Sequence, residues 1–269
     1  MSFTTAIKRL IYPLYIYPKT TKGWKAKLLD TNFVNDDIAL QNLKLFSNRN
    51  EDGIILKLIT ALNIKNGYFI DIGSNDCINS NCANLAFNLN WNGVFIDADK
   101  SLLKIGERNY KLFKTDSKFK FVEAFLYPEN INEIVLNNID KNTEVDFVSI
   151  DIDGNDYAIW KALDCIKPKI VVVENKIEYG KYDIIIPITD KFGQQEWGAS
   201  IVSFTKLASQ KDYTLVATND AGFNAFYLRN DLLENSSIKL LKLESVLENT
   251  FISKDFYSAK IMNTLLEKI

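Results

Sequence analysis

Four carboxylates stand where short apolar runs stop. Tyr68-Phe69-Ile70 runs into Asp71, Val94-Phe95-Ile96 into Asp97, Asp146 to Ile150 into Asp151, and Lys169 to Val173 into Glu174. If each run is a strand of one parallel sheet, the four acids share the edge made by the strand C-termini, where open α/β sheets bind ligands. Like charges on one edge repel one another, so a cationic ligand, a metal or a raised pKa is expected there. The plainer alternative is that each acid caps the helix that follows it.

The stretch from Tyr68 to Asn84 narrows the choice of ligand. A tight turn at Gly73 follows Asp71, and a polar loop leads into a helix near Asn81. A dinucleotide loop needs three glycines spaced G-x-G-x-x-G, so that backbone amides reach a pyrophosphate. Only Gly73 is present here, and Asp76 adds negative charge where a phosphate needs donors. NAD and FAD are therefore disfavoured. S-adenosylmethionine (SAM) has no phosphate, and its amino group and sulfonium tolerate carboxylates. At the end of the second strand, Asp97 suits a ribose diol, because a carboxylate accepts from both hydroxyls. An ordinary strand-turn-helix is the competing reading of this loop.

Asp151 and Glu174 end adjacent runs, and Asp153 or Asn155 could complete an oxygen shell. Hard oxygen ligands point to magnesium, calcium or manganese rather than zinc. The 269-residue chain contains no histidine. That excludes a Ser-His-Asp triad, histidine metal ligands and a histidine base. Its three cysteines, Cys77, Cys82 and Cys165, lack metal-ligand spacing and suit a reducing cytoplasm. Cys77 is read as a small loop residue rather than a nucleophile. With a net charge of −2 and no Lys/Arg-dense stretch, no nucleic-acid footprint is expected. Neither a membrane span nor a signal peptide is visible.

The elements that must position these residues alternate strand and helix. After an irregular extension (residues 1–45), Asn50 caps a helix running from Glu51 to about Leu62. Strands at 68–71, 94–97, 119–124, 146–150 and 169–173 are separated by helices near 81–90, 100–113, 131–136 and after Asp156. Trp91-Asn92-Gly93 closes the helix before the second strand, and Asp99 caps the next one. Residues 176–198 form an ordered lid, and a helix starts at Gly198-Ala199-Ser200. Tyr213 to Ala217 and Phe223 to Leu228 make a hairpin around Asn219-Asp220-Ala221-Gly222. A partly amphipathic helical segment fills 231–269. This predicts an α/β, Rossmann-like sheet of about seven strands, mostly parallel with a closing antiparallel hairpin and helices on both faces. The domain proper spans 46–230. The aromatic run from Leu10 to Pro18, twice broken by proline, reads as a packing or dimer contact, with a membrane-surface contact as the alternative.

Together these residues resemble the FkbM-like branch of class I SAM-dependent methyltransferases over roughly residues 50–231. The matching pieces are Glu51-Asp52-Gly53, Asp71-Ile72-Gly73-Ser74, Ser80-Asn81, Glu129 to Glu133, Trp197 to Ser200 and Gly222 to Phe226. The most distinctive is Ser149-Ile150-Asp151-Ile152-Asp153-Gly154-Asn155-Asp156. Cys77 stands where the family often has glycine, and Asn175 follows Glu174 directly where a tyrosine commonly intervenes.

The resemblance implies O-methyl transfer to a sugar or nucleotide-sugar hydroxyl, in bacterial surface polysaccharide biosynthesis. Gly73 and Ser74 would line the methionine part of SAM, Asp97 would hold the ribose, and Glu123-Ala124 would face adenine. Asp71, Asp76 and Ala98 complete the expected cofactor set. Asp151, Glu174 and Asn175 would hold a magnesium or manganese ion that lowers the pKa of the acceptor oxygen. Asp153 would take the proton, with Lys176 as the alternative. Asn155, Tyr179 and Trp197 would contact the acceptor. A cytoplasmic enzyme is expected, with a homo-oligomer as one of its forms. An NAD-dependent nucleotide-sugar enzyme and a non-catalytic Rossmann-like scaffold are the competing functions.

Overall fold

The computed structural model describes residues 11–113, 117–188, 197–234 and 236–249. The chain divides into two compact units, Met1–Phe125 and Leu126–Ile269.

In the first unit, helix α1 (Glu51–Ala61) precedes β1 (Tyr68–Ile72), α2 (Ala83–Asn88), β2 (Asn92–Asp97), α3 (Lys100–Phe113) and β3 (Phe119–Glu123). β1 pairs with β2, and β2 with β3, both in parallel. Parallel strands buried on both faces carry continuous apolar runs, as Phe69-Ile70 in β1 and Val94-Phe95-Ile96 in β2 do, while the edge strand β3 is only half-buried and carries Lys120 and Glu123. Their core is largely aromatic. Phe87 and Tyr110 stack with centroids 4.1 Å apart, and Phe69, Phe95 and Phe119 pack around them. Each such ring pair adds about 0.5–1.5 kcal/mol beyond simple burial.

Two local expectations are corrected here. Gly93 does not close a helix. It lies inside β2, where an added Cβ would fall 2.6 Å from the Phe69 ring. The left-handed residue after α2 is Asn90, at φ 57°. Asn50 precedes α1 as expected, but its side chain makes no capping bond.

The extension before α1 is not irregular. It holds a helical turn at 11–16, a 3-10 turn Tyr17–Lys19, and short helices Lys22–Leu28, Thr31–Val34 and Asp37–Gln41. The last three start where Thr21, Asp30 and Asp36 accept bonds from amides two or three residues on. Helices this short carry too little hydrophobic period to be read from sequence.

The second unit contains α4 (Ile131–Asn138), β4 (Phe147–Ile150), α5 (Asp156–Ala162) and β5 (Ile170–Glu174). They are followed by β6 (Ile185–Ile186), β7 (Gly198–Ala199), α6 (Ile201–Gln210), β8 (Tyr213–Thr218) and β9 (Asn224–Arg229). β4 and β5 pair in parallel, while β9 runs antiparallel to both β5 and β8. Trp160 packs among Phe204, Tyr213 and Tyr227.

α6 starts three residues later than expected. Ser200 caps it, accepting from the Ser203 amide at 3.1 Å, while Gly198 and Ala199 pair with β6. That small pair forms the base of the segment expected as a lid; residues 189–196 of it lie outside the described residues. Of the expected C-terminal helical segment, Leu243–Asn249 is helical and residues 250–269 lie outside the described residues.

Among the described residues, seven strands form one sheet in the order β3-β2-β1-β4-β5-β9-β8. It is mostly parallel and Rossmann-like, closed by an antiparallel hairpin, as the strand count predicted. No described helix is long and apolar enough to cross a membrane.

Candidate functional site

In the first unit, the loop after β1 is folded onto the end of β2. Gly73, at φ 80°, and Ser74 both donate their amides to the Ile96 carbonyl, at 2.9 and 3.1 Å. The next amide, of Asn75, donates to Asp97 Oδ2 at 2.7 Å. Asp97 Oδ1 accepts from the Asp99 amide at 2.8 Å. Cys77 donates its amide to Ser74 O, and the amides of Ile78 and Asn79 both reach Asp76 Oδ1 at 3.0 Å. The loop amides are therefore turned inward. Besides Gly73, two non-glycine residues complete its turns in the left-handed region, Asn75 at φ 50° and Cys77 at φ 60°.

Three of the expected cofactor residues, Gly73, Ser74 and Asp97, are thus held side by side, through the Ile96 carbonyl and the Asn75 amide. Asp71 is buried beside them, accepts from Ser80 Oγ, and is pushed up to about 7 by burial. The Asp97 charge pushes it in the same direction. Asp97 pairs in register with Glu123, and its carbonyl accepts from the Ala124 amide at 3.0 Å. The Glu123 side chain is exposed and paired with Lys100, and Ala98 is exposed. Asp76 is buried below the loop, where it holds the turn together.

Sequence reasoning missed two supports of this loop. Tyr12, from the N-terminal run, donates its hydroxyl to Asp76 Oδ2, and Asn79 Nδ2 donates to Asp76 Oδ2 and to Tyr12 Oη, both at 3.1 Å. A Cβ on Gly106 of α3 would lie 2.7 Å from Cys77 Cβ, so only glycine lets the helix pack this closely. A lone glycine inside a helical pattern was the available signal. Cys77 is fully buried, with its thiol pushed well up by burial, which suits a packing residue.

In the second unit, the acidic run after β4 is braced by Asp156. Its Oδ1 accepts from the Ile152 amide at 2.9 Å and its Oδ2 from the Gly154 amide at 3.0 Å. Burial raises Asp156 to about 6. This bracing leaves Asp151 half-buried and Asp153 exposed at a left-handed φ of 55°. Gly154 sits at φ 111°, and a Cβ there would meet Trp197 Cβ at 2.5 Å. A Cβ on Gly198 would lie 3.1 Å from Lys176 Cγ. Gly154, Trp197, Gly198 and Lys176 therefore form one close-packed group.

Glu174 ends β5 with its carboxyl raised to about 7. Burial is the main cause; Asp156, Asp153 and Glu178 push the same way, and Lys176 opposes them. A carboxyl balanced near neutrality can accept a proton from substrate. Sequence reading assigned Glu174 to a metal and did not single it out as a base. Its only signal was a lone carboxylate closing the apolar run Ile170 to Val173.

Asn175 does structural work. Its amide nitrogen donates to the Gly222 and Phe223 carbonyls, both at 2.8 Å, tying β5 to the turn before β9. Its Oδ1 is buried without a partner among the described residues. Tyr179 is buried in an apolar cluster with Ile186, and Trp197 packs partly buried against it. Tyr179 thus supports Trp197 and presents no broad face of its own. Asn155 precedes α5 half-buried, without a capping bond from its side chain.

The set expected to hold a divalent ion fits poorly. The open Asn175 Oδ1 is a suitable hard donor. Yet among the described residues no three His, Cys, Asp or Glu side chains are grouped to hold a metal. Carboxylates alone do not complete an oxygen shell here.

No protein-family model matches the chain, and no curated protein does. Solved structures are similar to part of it. A putative caffeoyl-CoA O-methyltransferase from Staphylococcus aureus aligns with a TM-score of 0.46 and 15% identity, over 68% of this chain and 84% of that one. An O-methyltransferase from Bacillus cereus in complex with SAH gives 0.45 and 17%, over 76% and 89%. A putative O-methyltransferase from Klebsiella pneumoniae gives 0.43 and 14%, over 67% and 80%. At such scores and identities the likeness decides nothing about this chain's activity.

Proposed function

We propose that this chain is a SAM-dependent O-methyltransferase acting on a hydroxyl of a sugar or nucleotide-sugar, in the assembly of a bacterial surface polysaccharide. One observation carries the cofactor half of this reading. The amides of Gly73, Ser74, Asn75, Cys77, Ile78 and Asn79 are all bonded within the first unit. A pyrophosphate needs such amides free. A cofactor without phosphate does not, and the sulfonium of SAM gains from the nearby Asp71 and Asp97. In this reading Asp71, Gly73, Ser74 and Asp76 shape the methionine end, Asp97 and Ala98 the ribose, and Glu123-Ala124 the adenine edge.

The acceptor half rests on the second unit. A sugar hydroxyl must lose its proton as its oxygen attacks the methyl carbon. The O–C bond forms as the S–C bond breaks, leaving a neutral thioether. Glu174, ionised above a pKa of about 7, is the proton acceptor in this reading. Lys176 tunes that carboxyl through its charge, and Asp151 and Asp153 flank the acceptor, which Asn155 and Trp197 contact. Because Glu174 carries the proton, the ion expected on Asp151, Glu174 and Asn175 has no part in this reading, and turnover should persist through a chelator titration.

Two measurements test the proposal. Isothermal titration should show binding of SAM and S-adenosylhomocysteine and none of NAD; the reverse order of affinities would refute it. Incubation of nucleotide-sugars with enzyme and SAM should add a methyl increment by mass spectrometry. A methylated carboxylate or amine in place of a hydroxyl would correct the acceptor class.

A further inference from the structure

We infer that the N-terminal segment, residues 11–29, is a docking surface for an anionic phospholipid bilayer. The helical turn at 11–16 is apolar on two faces. Its inner face buries Tyr12 and Ile16. Its outer face repeats every third residue as Ile11, Leu14 and Tyr17, which are 50%, 76% and 70% exposed. A helix that has already buried one apolar face gains no folding stability from a second. Leu29, after the next helix, is exposed as well.

Charge identifies the partner. Residues 1–29 contain Lys8, Arg9, Lys19, Lys22, Lys25 and Lys27, and no Asp or Glu before Asp30. The chain as a whole carries a net charge of −2. Lys19 is turned inward, where it donates to the Leu45 carbonyl and lies over the Tyr15 ring. Lys22 and Lys25 instead line a cleft of about 310 Å³ with Thr20 and Thr21, and among the described residues no carboxylate lines it. The rings of Tyr17, Phe87 and Phe113 complete its walls. Lys27 lies over Trp24 and Phe33, so its charge stays beside aromatic surface.

Exposed aliphatic side chains, interfacial Tyr and Trp, and lysines without acidic neighbours are the features with which a surface segment enters the headgroup region of a bilayer. The cleft offers the ammonium groups of Lys22 and Lys25 and the Thr21 hydroxyl to a lipid phosphate; the Thr20 hydroxyl already donates to the Ile16 and Tyr17 carbonyls. The apolar stripe beside it offers Ile11, Leu14 and Tyr17 to the acyl boundary. A second copy pairing two-fold through the same patch would set lysine against lysine. The inference does not depend on the proposed methyl transfer.

Co-sedimentation of the full chain with vesicles tests it. The wild-type chain should pellet with equimolar phosphatidylcholine and phosphatidylglycerol, less so as salt is raised, and not with phosphatidylcholine alone. The double variant Lys22→Glu, Lys25→Glu should weaken binding at least about tenfold. If that variant fails to fold, Leu14→Ser, at a 76% exposed position, takes its place and should weaken binding in the same assay. No binding, equal binding to neutral vesicles, or a folded variant that binds like wild type overturns the inference. A dimer that Leu14→Ser splits, without vesicle binding, overturns it in favour of a second copy.

Discussion

The loops after β1 and after β4 both follow a strand with an aspartate within one residue of its end, Asp71 and Asp151, and they use their acids differently. In the first, Asp97 and Asp76 accept the amides of Asn75, Asp99, Ile78 and Asn79, and Tyr12 adds its hydroxyl. Those charges hold the turn in shape. In the second, Asp156 accepts the Ile152 and Gly154 amides, and Glu174 is raised chiefly by burial, with Asp156, Asp153 and Glu178 pushing the same way. The same residue type is a brace where donors surround it and a proton acceptor where other acids do. Strand-end position is common to both, so position alone does not assign the role.

The most damaging way to break this contrast is Glu174→Gln. With the general base removed, turnover should fall about 10²–10⁴-fold while SAM affinity is kept. Stopped assays and calorimetry on one preparation separate the two. Wild-type activity in this variant would move the base elsewhere.

The pH dependence sharpens the same point. Glu174 must be ionised to accept a proton, so kcat should drop as pH falls through about 7. Stability should run the other way. Glu174 and Asp71 are both raised to about 7 in the folded chain, and both are deprotonated more easily when unfolded. Their contribution is fully present below the unfolded pKa, near 4, and is lost as pH rises through about 7. Melting temperature should therefore decline from pH 5 to pH 8, and Glu174→Gln should flatten that decline.

Asp97→Asn tests the first loop. The Asn75 amide loses a charged acceptor, and the cofactor loses an ionised one, so SAM should bind about tenfold more weakly by calorimetry. Unchanged affinity would make Asp97 purely structural. Gly154→Ala should cost about 1–3 kcal/mol in denaturant melts, because φ 111° is strained for alanine and Trp197 occupies the space. Smallest is Tyr12→Phe. It removes one charge-assisted bond to Asp76 and should cost about 1–2 kcal/mol, since Asn79 and two amides still hold that carboxylate.

The sequence by itself was enough for the strands, their alternation with helices and the acids that end them. Buried parallel strands must be runs of Val, Ile and Phe, and a closing acid is visible without any knowledge of neighbours. It was also enough to disfavour a pyrophosphate loop, from the two missing glycines. What tertiary structure alone decided was the environment of each acid. A pKa depends on burial and on charges brought together from distant sequence, as when Asp153, Asp156 and Glu178 act on Glu174. The Tyr12 bond to Asp76, the seat of α3 against Cys77 through Gly106, and the use of Asn175 to hold the hairpin are likewise contacts across the fold. Local residue order cannot encode them, because each depends on which surfaces the folded chain presses together.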